Sequence, residues 1–314
     1  MFNPSFIRNA INRSAQNGAD RRRFLKVAGA AGLGFAGATY LGAGSAVAGG
    51  SSAPSQEGGP SDAAILNFAL NLEYLEAEFY QRAVRGEGLP DDLIGGTTPP
   101  GGVSGGRQVE FESDNVRAYA EEIAADELAH VRFLRSALGG AAVSRPAIDI
   151  DAAFQAAAMA AGLATEEEPF DAYASEENFI LAAYIFEDVG VTAYKGAAPL
   201  IDNPTFVEAA AGILAVEAYH AANIRTVIAA KGLEEPSVAI SDARDSLDGE
   251  SDIDQGVLLD DQLNIVPADA NGLAFSRTPG QVLNVVYLTP QMATSGGFFP
   301  AGVNGELNTS DANA

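Results

Sequence analysis

The chain of 314 residues has no cysteine, no tryptophan, two histidines and three lysines. Without cysteine there is no disulfide, thiolate metal site, iron–sulfur cluster or cysteine nucleophile. Lysine occurs only at Lys26, Lys195 and Lys231, and 18 basic residues face 42 acidic ones for a net charge of −24. That balance excludes nucleic acid as a partner, because a phosphate backbone calls for clustered Lys and Arg. With two histidines, any imidazole chemistry runs through His130 and His220. What is plentiful is apolar side chain, 47% of the residues, enough to bury a large core.

The charge is unevenly spread. Residues 1–48 hold six bases and one acid, so the remainder carries 12 bases and 41 acids, a net of −29. A Lys-poor acidic surface stays hydrated and self-repelling, and suits a protein working in high salt. Residues 20–26 read Asp-Arg-Arg-Arg-Phe-Leu-Lys, followed by a Gly/Ala-rich run from Val27 to Gly44 and then Ala46-Val47-Ala48. A basic start, a weak apolar stretch and an A-x-A site are the marks of a secretory signal. The paired arginines resemble a twin-arginine (Tat) signal, which implies passage through the Tat translocase to an extracytoplasmic, secreted or cell-surface location. Cleavage is expected after Ala48. The alternative is retention as a membrane anchor, although the many glycines make a poor span. Residues 49–61 are Gly/Ser/Pro-rich and read as a linker.

Four strong helices are expected. The first spans 62–85, with Asp62 as its N-cap and Gly86 as its stop. Residues 86–106 form a loop with eight glycines and three prolines. The second helix runs over 114–138. A long connection follows, with a short helix at 151–163. The third covers 175–197 and the fourth begins at Asn203-Pro204 and ends at Gly232. Their apolar stripes carry polar residues in a repeating order: Glu73 with Tyr80, Glu127-x-x-His130, Glu187 with Tyr194, Glu217-x-x-His220. The chain is thus a duplicated helix hairpin.

Four glutamates and two Glu-x-x-His pairs are the ligand set of a dinuclear carboxylate site in a four-helix bundle. The i, i+3 spacing puts carboxylate and imidazole on one face, and four carboxylates neutralise two divalent ions. Iron and manganese share this donor chemistry, so the expected cofactor is two Fe or Mn ions, with a small oxygen species as reactant. Ionised groups on a core stripe are costly unless paired or ligating. Glu76 also lies near the apolar side, but its repeat mate is Gly190, whereas Glu73 pairs with Glu187. Glu78, mate of Thr192, is expected to face solvent. Tyr80 and Tyr194 are either hydrogen-bond donors or redox partners near the ions, or core aromatics. Asp126, four residues before His130, is placed to orient that ring.

At these residues the chain resembles the ferritin-like superfamily, and more narrowly the desiccation-related ferritin-like proteins. The resemblance lies in Ile65 to Tyr80, in Phe170 to Tyr194, in Arg277-Thr278-Pro279-Gly280-Gln281, in Gly296-Gly297-Phe298-Phe299-Pro300 and in Val303-Asn304-Gly305. It covers roughly 62–310. It implies an all-α fold: a ferritin-like bundle over 62–232, a long crossover between bundle helices two and three, and a C-terminal extension of mixed short elements over 233–314. It also implies a stress-associated protein. In desiccation-related members the fourth-helix histidine can be replaced; here it is His220. Two functions follow: ferrous oxidation or peroxide/oxygen consumption at a dinuclear site, or a non-enzymatic structural or interaction role with a relict site. In the extension, Thr278-Pro279-Gly280-Gln281 reads as a capping box opening a helix at 279–288, and Phe298-Phe299-Pro300 as an anchor on the bundle. Covering the bundle and homodimer contact are the two roles open to the extension.

Overall fold

The computed structural model describes residues 59–313. The signal expected at 1–48 and most of the linker at 49–61 lie outside the described residues. Among those described, no helix is long and apolar enough to cross a membrane.

Seven helices follow in order: α1 (Asp62–Arg85), α2 (Asp114–Leu138), α3 (Ala152–Ala160), α4 (Glu176–Ala197), α5 (Pro204–Lys231), α6 (Glu234–Asp248) and α7 (Pro279–Tyr287). The hairpins α1–α2 and α4–α5 are the tightly packed pairs, and together they make the bundle. A long crossover carrying α3 joins them. It includes a short parallel pairing of β1 (Val103–Ser104) with β2 (Ile148–Asp149), Val103 opposite Ile148. In the extension, β3 (Leu258–Leu259) and β4 (Gln262–Leu263) form a small antiparallel hairpin.

The helix ends are set by local chemistry. Ser61, Ser113 and Ser175 cap α1, α2 and α4 by accepting backbone N–H groups three residues on. The α1 cap is therefore Ser61, not Asp62. The Asp62 carboxylate instead accepts from the backbone N–H groups of Asp202 (2.8 Å) and Asn203 (3.1 Å), tying the start of α1 to the start of α5. Asn203 caps α5 ahead of Pro204. Gly86 and Gly232 end α1 and α5 in the left-handed conformation, at φ 74° and 72°.

The bundle helices differ in burial. Every residue from Leu70 to Gln81 of α1, and from Phe179 to Gly190 of α4, is buried, whereas α2 and α5 keep an exposed face. The crossover and the extension together cover α1 and α4. Phe298 packs on Phe154 and Phe186, with ring centroids 5.1 and 4.9 Å away. Asn71 of α1 exchanges two hydrogen bonds with the backbone of Asn304, at 2.8 and 2.9 Å. Arg277, Arg244 and Arg225 are buried and paired with Asp188, Asp248 and Asp254, which lock α6 and the start of α7 against α4 and α5. The capping box of Thr278 and Gln281 forms as the sequence indicates. Glu78 does not face solvent. It is fully buried and paired with Arg82 (3.0 Å) and Arg145, because the glycine-rich loop after α1 and the crossover close over that face.

Candidate metal centre

Each bundle helix contributes to one buried cluster. Glu73 comes from α1, Glu127 and His130 from α2, Glu187 from α4, and Glu217 and His220 from α5. The four glutamates are at most 1% exposed, and the histidines 8% and 5%. All six residues picked out by the repeat are thus brought together in the bundle core.

The geometry falls into two overlapping sets. Ligand atoms of Glu73, Glu127, His130 and Glu217 all lie within 4.8 Å of one another, and so do those of Glu187, Glu217 and His220. His130 Nδ1 stands 3.2 Å from Glu73 Oε2 and 3.5 Å from both Glu127 Oε2 and Glu217 Oε1. His220 Nδ1 stands 3.1 Å from Glu127 Oε1 and 3.6 Å from Glu187 Oε2. Glu127 and Glu217 therefore sit between the two halves, while Glu73 and Glu187 belong to one side each.

Tyr80 and Tyr194 act across the repeat. The Tyr80 hydroxyl donates to Glu187 Oε1, and the Tyr194 hydroxyl to Glu73 Oε1. Each half supplies the tyrosine that fixes the other half's outer glutamate. Burial, and then the charge of those carboxylates, drives both phenols well above their usual range.

Eight buried polar atoms of the six residues have no hydrogen-bond partner among the described residues: Glu73 Oε2, both oxygens of Glu127, His130 Nδ1, Glu187 Oε2, both oxygens of Glu217 and His220 Nδ1. Buried polar atoms are normally satisfied, so eight orphans facing one another call for a common partner. A pair of divalent cations fits this donor set of carboxylate oxygens and imidazole nitrogens.

The protons of the cluster tell the same story. Burial opposes ionisation of Glu73, lifting it to about 7 against the pull of His130. Burial and neighbouring carboxylates push Glu76 and Glu217 well up. Burial also resists charge on Glu127, but the two imidazoles close beside it prevail and hold it at about 2. His130 is pulled down by burial, yet Glu73 and Glu127 bring it up to about 10; His220 is driven up more strongly by Glu187 and Asp126. Protons take the place of cations in a site with excess negative charge.

Two residues break the twofold pattern. Asp126 does not orient His130. It reaches across to α5, where its Oδ2 is 3.2 Å from His220 Nε2. Its position on α2 points it at the neighbouring helix rather than back along its own. The repeat mate of Asp126 is Val216, so His130 Nε2 has no such partner among the described residues. Glu76 is buried beside the cluster, in space left by Gly190. A Cβ at Gly190 would stand 2.5 Å from Glu217 Oε2 and 3.5 Å from Glu76 Oε1.

Comparison with known proteins fits this picture. Residues 61–230 match the ferritin-like domain family. A desiccation-related protein of Craterostigma plantagineum is 33% identical over 268 residues, 78% of this chain and 84% of that one. A ferritin-like catalase of Nesocodon mauritianus is 29% identical over 270 residues, 79% and 85% of the two chains. No solved structure matches the chain.

Proposed function

The chain belongs to the ferritin-like domain family, and from that premise we propose that it is an exported protein that binds two iron or manganese ions and uses them on a small oxygen species, in protection against stress. The observation that carries this reading is the set of eight unpartnered lone-pair atoms facing one another in the bundle core. Peroxide consumption draws further support from the catalase relative; ferrous oxidation is the other chemistry the donors suit.

The six residues divide the work. Four carboxylates would balance the charge of two divalent ions: Glu217 belongs to both sets, Glu127 belongs to the first and stands 3.1 Å from His220 of the second, and Glu73 and Glu187 each serve one. The imidazoles offer Nδ1 to the cluster and turn Nε2 outward. At His220 the outward nitrogen donates to Asp126, which fixes the ring and raises its basicity. Tyr80 and Tyr194 hold one oxygen of each outer glutamate, so that the other oxygen points inward. Ions held there would supply the electron exchange that oxygen chemistry needs. Burial and the charge of Glu127 push the Glu76 carboxyl well above its usual range.

Anaerobic titration of the metal-free chain with ferrous or manganous ion tests the reading. It should reach about two ions per chain, and Glu127→Ala and His220→Ala should each lower that number. Addition of peroxide or dioxygen to the loaded chain then separates the two chemistries. A folded chain that binds neither ion sinks the proposal. A second reading, a stress protein whose bundle matters and whose site is relict, is favoured by the desiccation-related relative. It would prevail if the metal-free variants kept full protective effect. Export is tested by the N-terminus of the protein recovered outside the cytoplasm, expected at Gly49.

A further inference from the structure

The crossover and the extension cover α1 and α4, which leaves the seam between α2 and α5 as the uncovered side of the bundle. Two pockets open on that seam, and each ends on one of the two histidines. The first, about 440 Å³, has His130 and Phe133 on one wall and Ala209, Gly212, Ile213 and Val216 on the other. The second, about 150 Å³, is lined by Tyr119, Glu122, Ile123, Tyr219, His220 and Asn223.

These pockets are copies of one another. Under the internal repeat, His130 corresponds to His220, Phe133 to Asn223, Ala209 to Tyr119, Gly212 to Glu122 and Ile213 to Ile123. Val216, at the His130 pocket, corresponds to Asp126, which touches His220. The duplication therefore made two equivalent mouths, and the side chains have since diverged in chemistry. One mouth is wide, with apolar walls. Besides His130 its polar lining residues are Thr205 and Glu208, both exposed. The other is narrow and lined by the carboxylate of Glu122, and its buried imidazole, with Nδ1 unpartnered, has the carboxylate of Asp126 3.2 Å from Nε2.

We propose that the two mouths divide the traffic to the centre: the acidic mouth at His220 admits the divalent cation, and the apolar mouth at His130 admits the small uncharged oxygen species. The inference rests on the metal-site reading above. A cation leaving water needs replacement ligands along its path, and carboxylates both supply them and raise its local concentration. Apolar walls offer an ion nothing, and cost a neutral, apolar diatomic such as dioxygen little.

Two substitutions separate the routes. Glu122 is exposed and touches no ligand, so Glu122→Lys reverses the charge of the acidic mouth without disturbing the core. At Gly212 a Cβ would meet nothing within 4 Å, so Gly212→Leu fits the helix and narrows the apolar mouth. Val216→Leu narrows it from a second position, should the first variant fold poorly. The readouts are the stopped-flow rate of anaerobic ferrous uptake by the full chain and the rate at which nitric oxide, a neutral diatomic, binds the ferrous-loaded chain. Glu122→Lys should slow ferrous uptake by about tenfold at low salt, less at high salt, with unchanged final stoichiometry and unchanged nitric oxide binding. Gly212→Leu should slow nitric oxide binding severalfold and leave ferrous uptake unchanged. If both variants slow the same step, or neither slows either, or the pattern is reversed, the division of routes is wrong. A wild-type chain that takes up no ferrous ion fails earlier and differently: it removes the metal-site reading and this inference with it.

Discussion

Glu73 and Glu187 each have one oxygen held by a tyrosine from the opposite half. Removing that hydroxyl frees the carboxylate to rotate, so Tyr194→Phe should weaken the ion on the Glu73 side and Tyr80→Phe the one on the Glu187 side. The expected loss is about tenfold or more in the affinity of one ion of the two, read by stepwise titration calorimetry. Equal weakening of both ions by either variant would contradict this assignment. The protons of the metal-free cluster give a second test. Glu73 rises from 4.5 to about 7 and His130 from 6.5 to about 10. Both hold their proton more tightly in the folded chain. Their stabilisation is complete below about pH 4.5 and 6.5 respectively, and is lost as pH climbs through about 7 and about 10. Glu127, held at about 2, works the other way, and only below its ordinary value of 4.5. The melting temperature of the metal-free chain should therefore fall between about pH 5 and 9 while metal affinity rises, since ions must displace the same protons. Melts with chelator and with manganous ion across that range check both directions; a metal-free melting temperature that climbs would refute the assignment. The six principal residues were legible because i, i+3 and i+7 spacings declare a shared helix face. Asp126 was misread because its partner lies on another helix, a relation that spacing along one helix cannot express. Glu78 was misread because the crossover that buries it, and supplies Arg145 as its second arginine partner beside Arg82, is far away in sequence.

The bundle helices could be read to within a residue, since Ser, Asn, Pro and Gly mark their ends and apolar stripes mark their faces. Helix α6 could not. Its buried side is Ser237, Ile240, Ser241, Arg244 and Asp248, a mostly polar stripe, and it starts at Leu233 without a side-chain cap. Ile240 is the one apolar residue on that buried side to mark a face. What holds α6 is ionic: Arg244 donates to Asp254 at 2.6 Å and to the backbone carbonyl of Tyr184 at 2.7 Å. Arg277, 1% exposed, donates to Asp248 and Asp254 at 2.6 and 2.7 Å. Removing one partner of such a network leaves buried charge uncompensated. Arg277→Met should cost about 3–5 kcal/mol in chemical denaturation. A loss under about 1 kcal/mol, the scale of an exposed pair, would mean that water reaches these carboxylates.

For the whole molecule, the extension decides which sides of the bundle meet water. α1 and α4 are buried nearly all round over residues 70–81 and 179–190, as helices covered on every side. Deleting residues 249–314 should expose the face that Phe298 and Asn304 now cover. The truncated chain is expected to aggregate or bind a hydrophobic dye, while a monodisperse, dye-silent product would show that the bundle stands alone. The role of the extension was hard to read because its contacts, such as Asn71 with Asn304, join residues remote in sequence. Surface charge acts at the same scale. With a net of −29 over residues 49–314, the folded chain repels itself, so molar salt should raise its melting temperature. A melting temperature flat from low to molar salt would leave the acidic surface without that role.

The crossed bonds of Tyr80 and Tyr194 have a further, optical consequence. The chain has nine tyrosines and no tryptophan, so its near-ultraviolet absorbance and intrinsic emission come mainly from phenols. Two of those phenols donate to carboxylates of the centre, each across the boundary between the duplicated halves. Docking of one hairpin on the other, and any change at Glu73 or Glu187, alters the electronic surroundings of these rings. The unlabelled chain thus carries a built-in chromophore pair positioned to report both its assembly and the state of its core.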